Sequence, residues 1–223
     1  MDGLPLTERG DRPYRSRHDG VMHACGHDGH MAMVLGAGHV LAAEGGFTGT
    51  VHLVFQPAEE HGLGAKAMLA NGLFQRFPVD AIFGLHNMPG HPTGRISTRV
   101  GGLMAGEDNF EIRIIGRGGH AARPQMVVDP IVVAAARLTI ADDRVDPDTA
   151  PWTASEDFGA FLREVPGCFA LLGNGEALGA GGTPLHSPDY DFNDDALETG
   201  VAYYVNLVRT ALPSGTRTGT AAP

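Results

Sequence analysis

Two apolar runs, TVHLVF (Thr50–Phe55) and VDAIFGL (Val79–Leu85), flank a helix-forming stretch, GAKAMLANG (Gly64–Gly72), and restrict this 223-residue chain more than any other feature. β-branched and aromatic residues favour extended backbone, and short continuous apolar runs suit strands covered on both faces. Strand, helix and strand in that order predict an α/β fold: a mostly parallel central sheet flanked by helices. An almost wholly apolar segment, HMAMVLGAGHVLAA (His30–Ala43), predicts a buried helix stopped by Gly45-Gly46. Residues 1–22 are polar, rich in Pro, Gly and Arg, and read as extended chain or loop.

Beyond Gly94 the pattern changes. NFEIRIIG (Asn109–Gly116) alternates apolar with polar residues, as strands of a sheet with one wet face do. DPIVVAAARLTIA (Asp129–Ala141) opens on Asp-Pro and predicts a helix, after which ADDRVDPDTAP has the composition of a linker. SEDFGAFLREV (Ser155–Val165) is amphipathic with a Ser cap and early acids, a helix signature. CFALLG predicts a short strand, ALETGVAYYVNLVRTAL (Ala196–Leu212) a helix, and PSGTRTGTAAP a frayed tail. The expected layout is a discontinuous catalytic domain over 1–104 and 150–212, a short α+β lid over 105–149, and a disordered tail over 213–223.

Sixteen Lys and Arg against 26 Asp and Glu give a net charge of −10, which argues against a nucleic-acid partner or a polybasic membrane anchor. No apolar run approaches the roughly 20 residues of a membrane span. Two cysteines, Cys25 and Cys168, make no disulfide framework, and the opening MDGLPLTERGDRPYRSR has no apolar leader core, so a reducing cytoplasm is expected. Eleven histidines are many for this length, and several stand beside Cys, Asp or Glu.

Four clusters carry possible chemistry. Cys25 and His27, two apart, would project to one face of an extended segment, placing a thiolate and an imidazole on one metal. Glu59-Glu60 lies just past the first apolar strand, His86 just past the second, and His186 sits in the proline-flanked PLHSP. Each alone suits a bland role as buried small residue, solvated acid or turn histidine. Together they fall where open α/β sheets place their sites, outside the strand ends. Cys, His and Glu donors select a borderline ion such as Zn²⁺, Mn²⁺, Co²⁺ or Ni²⁺ over Ca²⁺ or Mg²⁺, and five donors suit two ions. One glutamate of an adjacent pair would bind metal while the other moves the proton of an attacking water. Cys25 as a nucleophile is one competing reading, and it leaves Glu60, His86 and His186 without a task.

MDGLPLTE, VMHACGHDGHMAM, VFQPAEEHGLGAKAM, IFGLHN, GRGGHAARPQ, SEDFGAFL and PLHSPDYDFND, in this order, resemble the amidohydrolase branch of the metal-dependent aminoacylase/carboxypeptidase superfamily, which includes hippurate hydrolases and hydrolases of N-acyl and indole-acetyl amino acids. The resemblance implies that Cys25, His27, Glu60, His86 and His186 hold two divalent ions and that Glu59 is the general base. It makes Asp2 an orienting residue behind a ligand histidine, His120 a lid histidine that holds the substrate carbonyl, and Glu156 a neighbour of the substrate pocket. The substrate it implies is a small N-acyl amino acid. Relatives pair as homodimers through the lid, whereas here the lid is shortened and the family's Asn-containing motif is missing, so the alternative to an active hydrolase is a catalytically impaired metal-binding fragment that needs a partner chain or has no activity. The chain also opens at Met1-Asp2, where the family has an N-terminal helix and its first strands, so an uncovered sheet edge is expected.

Overall fold

A computed structural model describes residues 2–99, 103–106, 138–140, 142–146, 149 and 155–214. The expected strand Asn109–Gly116, most of the expected helix Asp129–Ala141, His120 and residues 215–223 lie outside them. Among the described residues, no helix is long and apolar enough to cross a membrane.

The centre is a four-stranded mixed sheet. β1 (Ile82–Pro89) runs parallel to β6 (Gly167–Gly175), β6 runs antiparallel to β2 (Ile96–Ser97), and β2 runs parallel to β4 (Val145–Asp146). A separate two-stranded ladder joins β3 (Ala105–Gly106) to β5 (Ser155–Glu156). β1 and β6 are the backbone of the molecule, in register from Ile82 opposite Gly167 to Met88 opposite Gly173.

Side chains alternate across β6 with the period of two that a pleated strand imposes. Cys168, Ala170 and Leu172 join one core, with Met33, Leu85, Tyr203 and Leu207. Phe169 faces the other way, onto Phe158, Phe161 and Ala65. The first core is covered by α1 (His27–Glu44) and α4 (Leu197–Ala211). The second is covered by α2 (Gly64–Ala70) and the 3₁₀ turn Asp157–Arg163, with the short α3 (Leu73–Arg76) beside them. Covering both faces satisfies an apolar parallel pair, which explains why the expected α/β architecture forms. Gly200 lets α4 approach α1, since a Cβ there would lie 1.8 Å from Met33 Sδ.

Several elements differ from the sequence reading for identifiable reasons. α1 starts at His27 instead of His30, because Gly26 turns in the left-handed region (φ 81°) and begins the helix directly behind it. β1 extends through His86 to Pro89, because its ladder with β6 continues that far. Thr50–Phe55 is half-exposed chain rather than a strand: among the described residues no neighbour offers it a ladder, and extended backbone without a ladder is not sheet. Val145–Asp146, placed by composition in a linker, pairs with Ile96–Ser97 in the main sheet. The expected helix Ser155–Val165 is β5 followed by a seven-residue 3₁₀ turn. Its two leading acids make specific bonds: Glu156 accepts from the Phe158 N–H, and Asp157 reaches across to α2.

Candidate metal centre

Cys25, His27, Glu60, His86 and His186 come together from four separate segments. The donor atoms of Cys25, His27 and His86 lie within 4.8 Å of one another, and so do those of Cys25, Glu60 and His186. Cys25 belongs to both triplets, the arrangement of a thiolate placed between two cation positions. Its Sγ is 3.5 Å from His86 Nε2, and Glu60 Oε2 is 3.2 Å from His186 Nε2. His86 Nδ1 lies 2.6 Å from the Asn87 carbonyl oxygen; donating there fixes the tautomer that leaves Nε2 facing the sulfur.

Local backbone explains the convergence. The left-handed Gly26, not an extended segment, brings Cys25 and His27 together. Glu59 and Glu60 open a 3₁₀ turn behind Ala58, and His186 follows Pro184-Leu185. Among the described residues, Ala58 (φ 51°) and His186 (φ 61°) are the non-glycine positions held at positive φ. Strained backbone of this kind is found where a site over-determines the chain. His186 is also the open side of the cluster, its side chain 54% exposed against 10% for Glu60.

Protein groups alone do not satisfy this cluster. Burial, then the carboxyls of Glu60 and Glu59, push the Cys25 thiol far above its usual range. Burial and the neighbouring His86 lower His27 to about 4, and burial lowers His86 to about 4. Burial, then Glu156 and Glu60, raise Glu59 to about 9. His27 Nε2 stands 3.7 Å from Glu59 Oε2 and 3.9 Å from Glu60 Oε1, beyond hydrogen-bond length, and His27 is neutral at pH 7, so these contacts are not ion pairs. Glu60 Oε1 is buried with no hydrogen-bond partner, an arrangement that costs about 1–3 kcal/mol unless something binds there. A divalent cation fits this set. It would accept the orphaned oxygen, the neutral imidazoles and the sulfur, and would reverse the charge balance that holds the thiol protonated. A buried thiol with a raised pKa also argues against Cys25 as a free nucleophile.

The sequence profile of Peptidase family M20/M25/M40 matches residues 1–210. The chain belongs to this family. Among curated M20 relatives, hippurate hydrolase of Campylobacter jejuni is 44% identical over 165 residues, covering 72% of this chain and 42% of its own length. N-acetyl-L-cysteine deacetylase of Bacillus subtilis is 43% identical over 66% of this chain and 36% of its own length. IAA-amino acid hydrolase ILR1-like 2 of Arabidopsis thaliana is 43% identical over 68% of this chain and 34% of its own length. The chain thus spans well under half the length of these relatives. The solved structure of Bacillus subtilis YXEP, described as a dinuclear metal binding peptidase from the M20 family, superposes with a TM-score of 0.74. It is 24% identical, with 95% of this chain and 80% of that one covered, and shows the fold to be an M20 fold.

The other expected site residues are placed as follows. Asp2 Oδ2 accepts from the Glu60 backbone N–H at 2.9 Å, and an Asp2 oxygen lies within 4.8 Å of donor atoms of His27 and Glu59. Asp2 therefore holds the backbone of Glu60 while standing beside His27. Glu156 is buried, pushed up to about 7 mainly by that burial, and its carboxyl lies within 4.8 Å of those of Glu59 and Asp157. His120 lies outside the described residues. The sequence reading missed Asp157, whose Oδ1 accepts from Gln56 Nε2 at 2.5 Å and whose Oδ2 accepts from the Ala65 N–H at 3.0 Å. It also missed His30, Asn87 and Tyr190. Their signals were adjacency to motif residues and the i, i+3 spacing that puts His30 on the face of α1 that carries His27.

Proposed function

We propose that this chain carries the centre of a metal-dependent amidohydrolase that cleaves the amide of small N-acyl amino acids, with Cys25, His27, Glu60, His86 and His186 holding two divalent ions. The observation that carries the reading is the pair of donor triplets sharing Cys25, beside a buried carboxylate oxygen that no protein group satisfies. Zn²⁺, Mn²⁺, Co²⁺ or Ni²⁺ suits a sulfur, imidazole and carboxylate set. When bound, such ions supply Lewis acidity, drawing electrons from an amide carbonyl and making a water easier to deprotonate.

Glu59 is the proton carrier in this reading. It adjoins Glu60 on the same turn; burial and neighbouring carboxyls push it up to about 9, and cations held beside it would favour its ionised form, the form that takes a proton from water and then returns it. The water oxygen bonds to the amide carbon, the C–N bond breaks, and the proton held by Glu59 passes to the departing nitrogen. The products are a carboxylic acid and a free amino acid. Asp2 steadies Glu60 through its backbone N–H, and Glu156 lies behind Glu59 where its charge state affects that of the base. The half-exposed His186 marks the side from which substrate enters. His120 is proposed to hold the substrate carbonyl, as the family resemblance implies.

The test is turnover of N-benzoylglycine and N-acetylcysteine by the purified chain loaded with each ion, beside Glu59→Gln. A metal-dependent rate that falls by about 10²–10⁴ in Glu59→Gln, with metal content unchanged, is expected. No metal-dependent turnover by the parent chain, or a rate that Glu59→Gln leaves intact, refutes the reading. Metal binding without turnover would identify the chain as a binding piece that needs the missing lid elements or a partner chain.

A further inference from the structure

Three of the segments that bring ligands to the centre also bring one polar side chain each to a common point behind it. His30 is three residues past His27, Asn87 immediately follows His86, and Tyr190 is four residues past His186. His30 Nε2 lies 2.6 Å from Asn87 Oδ1 and 3.1 Å from the Asn87 backbone N. It donates to the amide oxygen in one tautomer and accepts from the peptide N–H in the other. Asn87 Nδ2 donates to the Tyr190 hydroxyl at 2.5 Å. Asn87 is fully buried and Tyr190 nearly so.

The trio touches the ligands as well as one another. The His30 ring meets the His86 ring edge-on, with centroids 4.6 Å apart, and lies 5.4 Å from the His27 ring. Gly26, the pivot between Cys25 and His27, rests against the other end: a Cβ there would lie 2.6 Å from Tyr190 Oη and 2.7 Å from Asn87 Oδ1. Turning any of these three segments therefore breaks a buried hydrogen bond or drives one of these groups into Gly26. A buried polar chain is expensive unless fully paired, so its members lock one another's rotamers.

We propose that His30, Asn87 and Tyr190 form a positioning network that presets the Cys25–His27 turn, the His86 ring and the His186 loop for metal, so that its loss weakens metal affinity more than it weakens the fold. None of the three is a ligand, and none reaches the reacting atoms. The inference rests on the metal-centre reading above and names residues outside its ligand set. Groups that orient ligands from behind typically change metal affinity by about 10–100-fold when removed.

Co²⁺ tests this on the full chain, with affinity from competition against a chromophoric chelator and geometry from the visible spectrum, including the band from the Cys25 sulfur to the metal. Melting of each variant in chelator reports the fold separately. Tyr190→Phe and His30→Ala are expected to weaken Co²⁺ binding about 10–100-fold and to shift the spectrum. His30→Gln, which keeps a nitrogen donor near Asn87 Oδ1, is expected to recover most of the affinity. Where a variant also melts earlier, rescue by His30→Gln decides. Affinities of Tyr190→Phe and His30→Ala within twofold of the parent, or a Gln variant as weak as the Ala variant, overturn the network. Failure of the parent chain to bind Co²⁺ overturns the metal-centre reading as well.

Discussion

Asp157→Ala removes one buried side chain that ties three parts of the chain together. Asp157 is 4% exposed, and its two oxygens accept from Gln56 in the extended segment and from the Ala65 N–H in the first turn of α2. Ala65 is fully buried, so its N–H would lose its partner without gaining water, at about 1–3 kcal/mol. Losing the Gln56 bond adds about 1 kcal/mol. Relief of repulsion from the Glu59 and Glu156 carboxyls works the other way. That relief is small at pH 7, because raised pKa values of about 9 and about 7 mean that proton uptake already supplies much of it. The net expectation is a loss of about 2–3 kcal/mol, read as the shift in urea midpoint at constant slope in chelator at about pH 7. Asp157→Asn keeps one acceptor and should recover about half. A loss below about 0.5 kcal/mol, or a gain, would show that carboxyl repulsion outweighs the hydrogen bonds and would refute this account of α2 docking.

Metal should stabilise the fold directly: ions at about 1,000 times Kd contribute about 4 kcal/mol, which raises Tm by roughly 8–16 °C for a chain of this size and is reversed by chelator. An unchanged Tm with Zn²⁺, Mn²⁺, Co²⁺ and Ni²⁺ would count against the ligand set. In chelator, stability should fall from about pH 6.5 to about pH 9, since Glu59 and Glu156 have raised pKa values and lose their contribution as pH rises through them. His27 and His86 are lowered and oppose this trend only below about 6.5, so urea midpoints that rise between pH 6.5 and 9 would contradict the electrostatics described. Gly200→Ala should cost about 1–3 kcal/mol by pressing on Met33, and pairing it with Met33→Ala should be less than additive in denaturant unfolding; strict additivity would mean that α1 and α4 do not meet there.

The apolar patterns of α1, β1, β6 and α4 were legible because each buries a continuous face, and burial is what hydrophobic sequence records. All five candidate ligands were legible because Cys, His and Glu stand in short motifs beside those elements. What the sequence hid depends on partners distant along the chain. Thr50–Phe55 has the composition of a strand, but no strand among the described residues pairs with it. Val145–Asp146 looks like a linker and finds Ile96–Ser97. Helical periodicity in 155–165 could not show that Asp157 would reach α2 or that Glu156 would cap Phe158. His30, Asn87 and Tyr190 are ordinary residues in sequence and become a unit only when three segments meet.

Ala58 and His186 limit how far this chain can be stiffened without touching its chemistry. Each holds a left-handed turn that an L-residue resists by about 1–2 kcal/mol, and each stands at the candidate centre: one leads into Glu59-Glu60, the other is itself a candidate ligand. Glycine at Ala58 would relax the turn but give back about as much in unfolded-chain entropy, and His186 cannot be exchanged without losing its imidazole. A search for thermostable variants should therefore find its gains along α1 and α4, away from these two turns.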